Sequence, residues 1–275
     1  MLNYRYMLIL LVGIVPIAGA AGFLLGGRQN SDSESTTSST AVTDRAASQP
    51  TANAGPKMPD FCVVIKSTNP LAYYRLELEN GDSEAGTSRF KTDGGVSQAV
   101  GAPIGASDNN CAIFDGTSGS IISTQNGGID EAGSLMAWVN LSQLPSHARH
   151  ILYIAGESEN GNDFDLQFET DNTLKFYTDA GSFTRYKPDP ALLVDNWHLI
   201  VATMDQATKN RTIYWDGVAV AIDHAENLPN KTAPFTIGAS SVWSGRFFAG
   251  GIDEVALWNR ALTGREVLAI YDATK

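Results

Sequence analysis

In the stretch "FFAGGIDEVALWNRALTGREV", residues 247–267, Asp253 and Glu254 stand side by side inside an apolar run of strand character. Adjacent carboxylates can be a catalytic pair, metal ligands or structural groups. Glycosidases need two carboxyls facing each other across the sugar, about 5 to 9.5 Å apart. Neighbouring residues of an extended strand point to opposite faces, so strand geometry argues against joint catalysis by this pair. In a purely structural role, Asp253 caps a turn at the strand start and Glu254 pairs with a cation such as Arg260. A second acidic set lies in "DFDLQFE", where Asp163, Asp165 and Glu169 alternate on one face with Gln167 between the last two. No matched acid and base emerges there, and the expectation is a polar strand face open to solvent with no catalytic residue assigned. His147 and His150 in "HARH" have a spacing found in some zinc sites, but no cysteine or acid is fixed beside them, which predicts an exposed loop. Two clusters suit sugar recognition: Trp243 and Arg246 in the loop "SSVWSGRFF", and Tyr177, Arg185 and Tyr186 in "FYTDAGSFTRY". Aromatic faces take the C–H surfaces of sugars and a guanidinium donates to hydroxyls.

The elements that must position these groups read as strands. From residue 61 on, short runs rich in Val, Ile, Phe, Tyr, Trp and Leu, from "FCVVIK" to "IDEVALWN", are each closed by Gly, Asn, Asp or Pro. That pattern predicts an all-β, two-sheet antiparallel sandwich or jelly roll. Asp-Gly at 115–116 and 216–217 and "ETDNT" at 169–173 are hairpin signals. One short C-terminal helix is predicted, because Thr263 and Glu266 form a capping box ahead of Val267, Leu268 and Tyr271 at helical spacing. Trp138, Trp197, Trp215 and Trp258 fall in strand-like runs and are expected in the core.

The first residues are of another kind. Residues 7–27 carry no charge over 21 positions, with Arg5 before and Arg28 after. Such a run can span a bilayer as a signal anchor; the rival reading is a signal peptide cleaved after "AGA" at 18–20. Continuation of the apolar run to Leu25 favours the anchor, and either way the remainder is expected outside the cytoplasm. Residues 28–58 lack aromatic residues and nearly all large apolar ones, which predicts a disordered stalk that reaches roughly 30 Å. Residues 59–275 form one globular domain. Of 19 basic and 30 acidic side chains, four basic and three acidic precede residue 59, so the domain carries 15 and 27, a net charge of −12. This balance argues against nucleic acid and anionic lipid as partners. The two cysteines, Cys62 and Cys111, predict one disulfide from the first strand, with two buried thiols as the alternative.

The ordered set "NPLAYYRLELENG", "CAIFDGTSGSIIST", "GSLMAWVNL", "NWHLIVATMD", "IYWDGVAV", "FTIGA" and "FFAGGIDEVALWNRALTGREVLAIYD" resembles the laminin G-like jelly rolls of the concanavalin A-like lectin/glucanase superfamily. The resemblance implies a fold used mostly for binding sugars or proteins outside the cell. It also implies a structural calcium, with Asp253 and Asp115 at positions where relatives provide oxygen ligands and Asp93 or Asp82 as further candidates. The loop after "YYRL" departs from the family pattern, and so does "DFDLQFE", which has Gln167 centrally and no Glu at its first position. The expected function is a membrane-tethered recognition module, foremost for carbohydrate. An envelope protein-binding or adhesion module and a divergent glycoside hydrolase are the alternatives.

Overall fold

The computed structural model describes residues 60–77, 84–85, 89–100, 103, 109–154, 164–179, 181–225, 230–231 and 233–275. The 7–27 apolar run, the 28–58 stalk, Asp82 and Asp163 lie outside the described residues. Among the described residues no helix is long and apolar enough to cross a membrane.

In chain order the elements are α1 (Phe61–Ser67), β1 (Ala72–Tyr74), β2 (Phe90–Asp93), β3 (Val96–Val100), β4 (Asn110–Asp115), β5 (Ser120–Asn126) and β6 (Ile129–Asp130). They continue with β7 (Gly133–Leu141), β8 (Arg149–Ile154), β9 (Phe164–Phe168), β10 (Leu174–Asp179), β11 (Ser182–Tyr186) and β12 (His198–Met204). The chain closes with β13 (Asn210–Trp215), β14 (Val218–His224), β15 (Asn230–Lys231), β16 (Pro234–Ile237), β17 (Ala249–Trp258) and α2 (Gly264–Asp272). An eight-stranded sheet runs β14-β13-β12-β7-β17-β4-β3, with β1 also on β17, and a seven-stranded sheet runs β11-β10-β9-β8-β16-β5-β2. Every described pairing between these strands is antiparallel.

Alternation along the strands builds the core between the sheets. Leu135, Ala137, Val139 and Leu141 of β7 and Ile200, Ala202 and Met204 of β12 meet Phe164, Leu166 and Phe168 of β9 and Phe235 and Ile237 of β16. The opposite parity of the eight-stranded sheet, Met136 and Trp138, Leu199 and Val201, Ala256 and Trp258, forms a second apolar layer on its outer side. Two of the tryptophans expected in the core, Trp138 and Trp258, belong to this second layer rather than to the space between the sheets.

That outer layer needs a cover, which explains the first departure from the sequence reading. The run "FCVVIK" is not a strand but helix α1, so the domain has a short helix at each end. Asp60 caps it by accepting from the Cys62 N–H at 2.9 Å, and Phe61 and Ile65, four apart and so on one helical face, are buried in the outer layer. The β-branched residues favour a strand locally, but burial of this face outweighs a propensity of a few tenths of a kcal/mol per residue. Trp258 Nε1 donates to Thr68 Oγ1 at 2.9 Å, fixing the end of α1 on β17. Helix α2 forms as predicted: the Thr263–Glu266 capping box is present, and Val267 and Ile270 are buried.

Because Ile65 is fully buried and Val63 is 59% exposed, Ile65→Ala should lower the unfolding free energy by about 2–5 kcal/mol in urea titrations. Val63→Ala should stay within about 0.5 kcal/mol. Equal effects would show that α1 does not seal the layer.

Candidate functional site

The acid pair is not arranged as a regular strand predicts. Glu254 adopts φ 52°, and the register of β17 against β7 shifts between Asp253 and Ala256. This is a β-bulge, which places an extra residue on one strand. Ile252 and Val255 both enter the inter-sheet core, so the two residues between them, Asp253 and Glu254, both turn to the outer side. The expectation that they face opposite sides is corrected. Neighbouring glycines let β7 come close: a Cβ on Gly250, at φ 133°, would sit 2.0 Å from the Asn140 carbonyl oxygen.

Both carboxyls are fully buried. Glu254 accepts from the Tyr73 hydroxyl and from Arg75 Nε at 3.5 Å. Arg75 Nη2 donates to Asn109 Oδ1 at 2.6 Å, and Asn109 Nδ2 donates to Asp253 Oδ2 at 3.1 Å. Asp253 Oδ1 is buried with no hydrogen-bond partner among the described residues. Arg75 thus bonds Glu254 directly and is linked to Asp253 only through Asn109, and it also faces Glu77 at 3.6 Å. Burial pushes Glu254 up to about 7 against the opposing pull of Tyr73 and Arg75. Burial and the charge of Glu254 push Asp253 well above the carboxylate range. A pair this enclosed offers no room for a sugar between its members, and its role is structural. The expected Arg260 partner is elsewhere: Arg260 pairs with Glu266 of α2 at 2.7 Å.

Of the three acids assigned to calcium, Asp253 stands apart from Asp115. Asp115 lies opposite Ala249, and Ala112 lies opposite Ile252. Asp115 is thus four residues along β4 from the position opposite Asp253, roughly 13 Å at strand rise. Its oxygens accept from the N–H groups of Thr117, Ser118 and Gly119 and from both hydroxyls, which holds it far below the usual carboxylate range and organises its own turn. Asp93 ends β2 opposite Ser120, two residues before Gly95, whose carbonyl accepts from Asp115 N at 3.0 Å, so it neighbours the Asp115 turn. Among the described residues no group of three His, Cys, Asp or Glu is placed to hold a metal ion.

The predicted disulfide is also corrected, since Cys62 and Cys111 are free thiols. Cys62, on helix α1, bonds the Tyr73 hydroxyl at 3.3 Å on the Glu254 side of the pair. Cys111 donates to the Ala99 carbonyl at 3.5 Å, with Asp253 near enough to raise its pKa. Burial pushes the Cys111 thiol up to about 11.

The second acidic set lies on the outer face of the seven-stranded sheet. Phe164, Leu166 and Phe168 fill the core, which turns Asp165, Gln167 and Glu169 outward. They are not an open polar face: Asp165 and Gln167 are 2% and 3% exposed. Asp165 Oδ1 meets His150 Nδ1 at 2.7 Å. Gln167 Nε2 donates to Glu169 Oε1 at 2.9 Å, while Gln167 Oε1 is buried without a partner. Glu169 also takes Lys175 Nζ at 3.1 Å and the Tyr177 hydroxyl at 3.3 Å. Lys175 lies 4.2 Å from the centre of the Phe183 ring. His150 is committed to Asp165 and His147 to Ser146, so the two histidines form no zinc pair and His150 is not in an exposed loop.

The Tyr177 cluster divides. Arg185 stands opposite Lys175 and Phe183 opposite Tyr177, so these share the outer face. Tyr186 stands opposite the core residue Leu174 and packs inward, 5.6 Å from the Trp215 ring. Sequence reasoning missed Lys175, Phe183 and His150 as members of this face. The alternation of Lys175 and Tyr177 in "LKFYTD" was the available signal.

The loop from 238 to 248 leaves the same sheet at the end of β16, with β8 and β9 between it and β10. Phe235 and Ile237 are in the core, so Thr236 points outward, and its Oγ1 donates to the Ala239 carbonyl at 2.7 Å. Ser240 Oγ accepts from the N–H groups of Val242 and Trp243, and Phe248 N closes the loop on the Gly238 carbonyl at 2.7 Å. Arg149 Nη1 clamps the Phe247 carbonyl at 2.8 Å. On this braced loop Trp243 is 41% exposed, and the Arg246 guanidinium lies 5.0 Å from its ring centre. The structure thus brings Trp243 and Arg246 together as the sequence predicts.

Two outcomes follow. With a chelator present, stability should fall between about pH 5 and pH 8, because Glu254 has a folded pKa raised above its ordinary 4.5 and the folded state holds a proton that the unfolded chain releases. Asp253→Asn should flatten that slope in thermal melts; a wild-type melting temperature that rises from pH 5 to 8 would contradict the assignment. The denatured protein without reductant should titrate two thiols with a chromogenic disulfide, and none would restore the bond.

No curated protein matches the chain. Domain 4 of AbnA, a GH43 extracellular arabinanase from Geobacillus stearothermophilus, solved with arabinotriose, is 17% identical with a TM-score of 0.56, covering 74% of this chain and 98% of that one. The receptor binding domain of botulinum neurotoxin C/D mosaic serotype is 12% identical with a TM-score of 0.59, covering 74% of this chain and 51% of that one. A botulinum neurotoxin type C structure, whose cell entry depends on two ganglioside molecules, is 12% identical with a TM-score of 0.58 and coverages of 78% and 53%. The chain spans about half the length of these toxin structures. At such identities the likeness establishes the fold, a jelly-roll, lectin-like sandwich. A family model, Laminin_G_3, described as the concanavalin A-like lectin/glucanases superfamily, matches residues 114–268, more than half of the 275 residues, and the chain belongs to that family.

Proposed function

We propose that the domain is a carbohydrate-recognition module that takes its ligand at the outer face of the seven-stranded sheet, against the 238–248 loop. The observation that carries this reading is Trp243, 41% exposed on a loop braced by Ser240, Gly238 and Arg149. An indole presented to solvent on a braced loop is a ready stacking surface, and sugar C–H faces suit an indole ring. The outer face of the same sheet carries further hydrogen-bonding groups on and beside β9–β11, in Glu169, Lys175, Tyr177 and Arg185. The arabinotriose and ganglioside ligands of the structural neighbours support a glycan over a protein partner. The 7–27 apolar run and the polar 28–58 segment support display of the module outside the cytoplasm on a membrane tether.

A glycan array probed with the protein, in calcium and in chelator, should return a defined set of glycans. Calcium remains a proposal of the family resemblance, and binding that disappears in chelator would support it. Trp243→Ala should weaken binding to that set by about tenfold or more with the thermal melt unchanged. Wild-type binding by Trp243→Ala would remove the loop from the site.

A further inference from the structure

Resting on that reading, we infer that the Trp243 loop selects an acidic sugar, one whose carboxylate is received by Arg246 while its ring lies against Trp243. The argument begins with charge. In a domain of 15 basic and 27 acidic side chains, at least six of the 15 cations pair with acids: Lys66 with Glu84, Arg75 with Glu254, Lys175 with Glu169, Lys187 with Asp171, Arg211 with Asp223 and Arg260 with Glu266. Arg246 has no carboxylate partner among the described residues and lies over the Trp243 ring instead.

The two chain segments that build the loop and its support carry no acid of their own. Residues 142–152 and 238–252 contain no Asp or Glu and carry His147, Arg149, His150 and Arg246. These two segments are joined by Gly238 N to the Ile151 carbonyl, Ser142 N to the Ala249 carbonyl and Arg149 to the Phe247 carbonyl. Arg149 is 1% exposed, its Nε has no hydrogen-bond partner, and no carboxylate among the described residues neutralises it. One acid borders this region: Asp115, opposite Ala249, keeps its charge but directs its oxygens to Thr117, Ser118 and Gly119 of its own turn and forms no ion pair with Arg149. His150 is matched by Asp165.

A buried, unpaired guanidinium beside the loop is a destabilising charge that a bound anion would offset. It also acts through low-dielectric protein, where its field reaches further than in water. Arg246 itself is pre-positioned by the indole, so little rotamer freedom remains to be lost when its planar fork receives a carboxylate. A neutral sugar would use Trp243 but leave both positive centres unanswered, and an amino sugar would be repelled.

Matched pairs on the array test this: uronic- and sialic-acid glycans beside their carboxyl methyl esters, with neutral and amino sugars as further arms. The acidic members should bind best, their esters at least tenfold more weakly, and Arg246→Gln should bring acid and ester to within about twofold. Arg246→Lys, which keeps the charge and loses the fork, should fall between. Preference for neutral glycans, or an ester bound as tightly as its acid, overturns the acidic-sugar inference and leaves the sugar-binding reading standing. Binding to no glycan overturns both.

Discussion

Strand β17 is the member on which the rest of the domain depends. All ten of its residues are buried, and it pairs with β7 along one edge and with β4 and β1 along the other. A strand without exposed residues must satisfy both edges and both faces at once. Its inner side chains close the inter-sheet core, and its outer ones meet α1 and α2. The glycines at 250 and 251 are the condition for this density, because a Cβ on Gly251 would lie 2.6 Å from the Trp197 ring. The bulge at Glu254 is where the partner on one edge changes from β4 to β1. The buried Asp253–Glu254 network stands at that junction, linked to β1 through Tyr73 and to the residue before β4 through Asn109.

The functional face depends on the same frame at one remove. Phe248, directly after the loop and before β17, is fully buried in the core, and Arg149 holds Phe247 beside it. The loop that shows Trp243 to solvent is thus anchored at both ends, on β16 through Gly238 and on β17 through Phe248. Anchoring limits the ordering that binding would require, which favours recognition by a rigid edge. The polar row on β9 and β10 is likewise preset, since Glu169, Lys175 and Tyr177 already bond one another.

What was legible in the sequence is what depends on local pattern. Alternating short runs announced two antiparallel sheets, the Thr263–Glu266 spacing announced α2, and Trp243 with Arg246 in a Ser- and Gly-rich segment announced an exposed aromatic loop. What was misread depended on neighbours that were out of sequence view. "FCVVIK" has strand composition, yet the apolar layer outside the eight-stranded sheet makes it a helix. Tyr186 seemed to belong with Tyr177, but hairpin register puts it opposite Leu174 and turns it inward. The spacing of Asp253 from Asp115, four residues apart along β4, likewise comes from strand register and not from local pattern.

The sequence alone therefore determined the class of fold, the acidic balance of the domain and the identity of the exposed aromatic–guanidinium pair, since composition and period-two alternation act through local geometry. Only the tertiary structure decided that both acids of "GGIDEVALWN" face one side and join one network, Glu254 through Arg75 and Asp253 through Asn109. A single residue at φ 52° changes the parity of a strand, and that bulge arises where β4 and β1 meet along one edge of β17. Side-chain direction after such a break is set by the partners the strand acquires and cannot be counted along the chain.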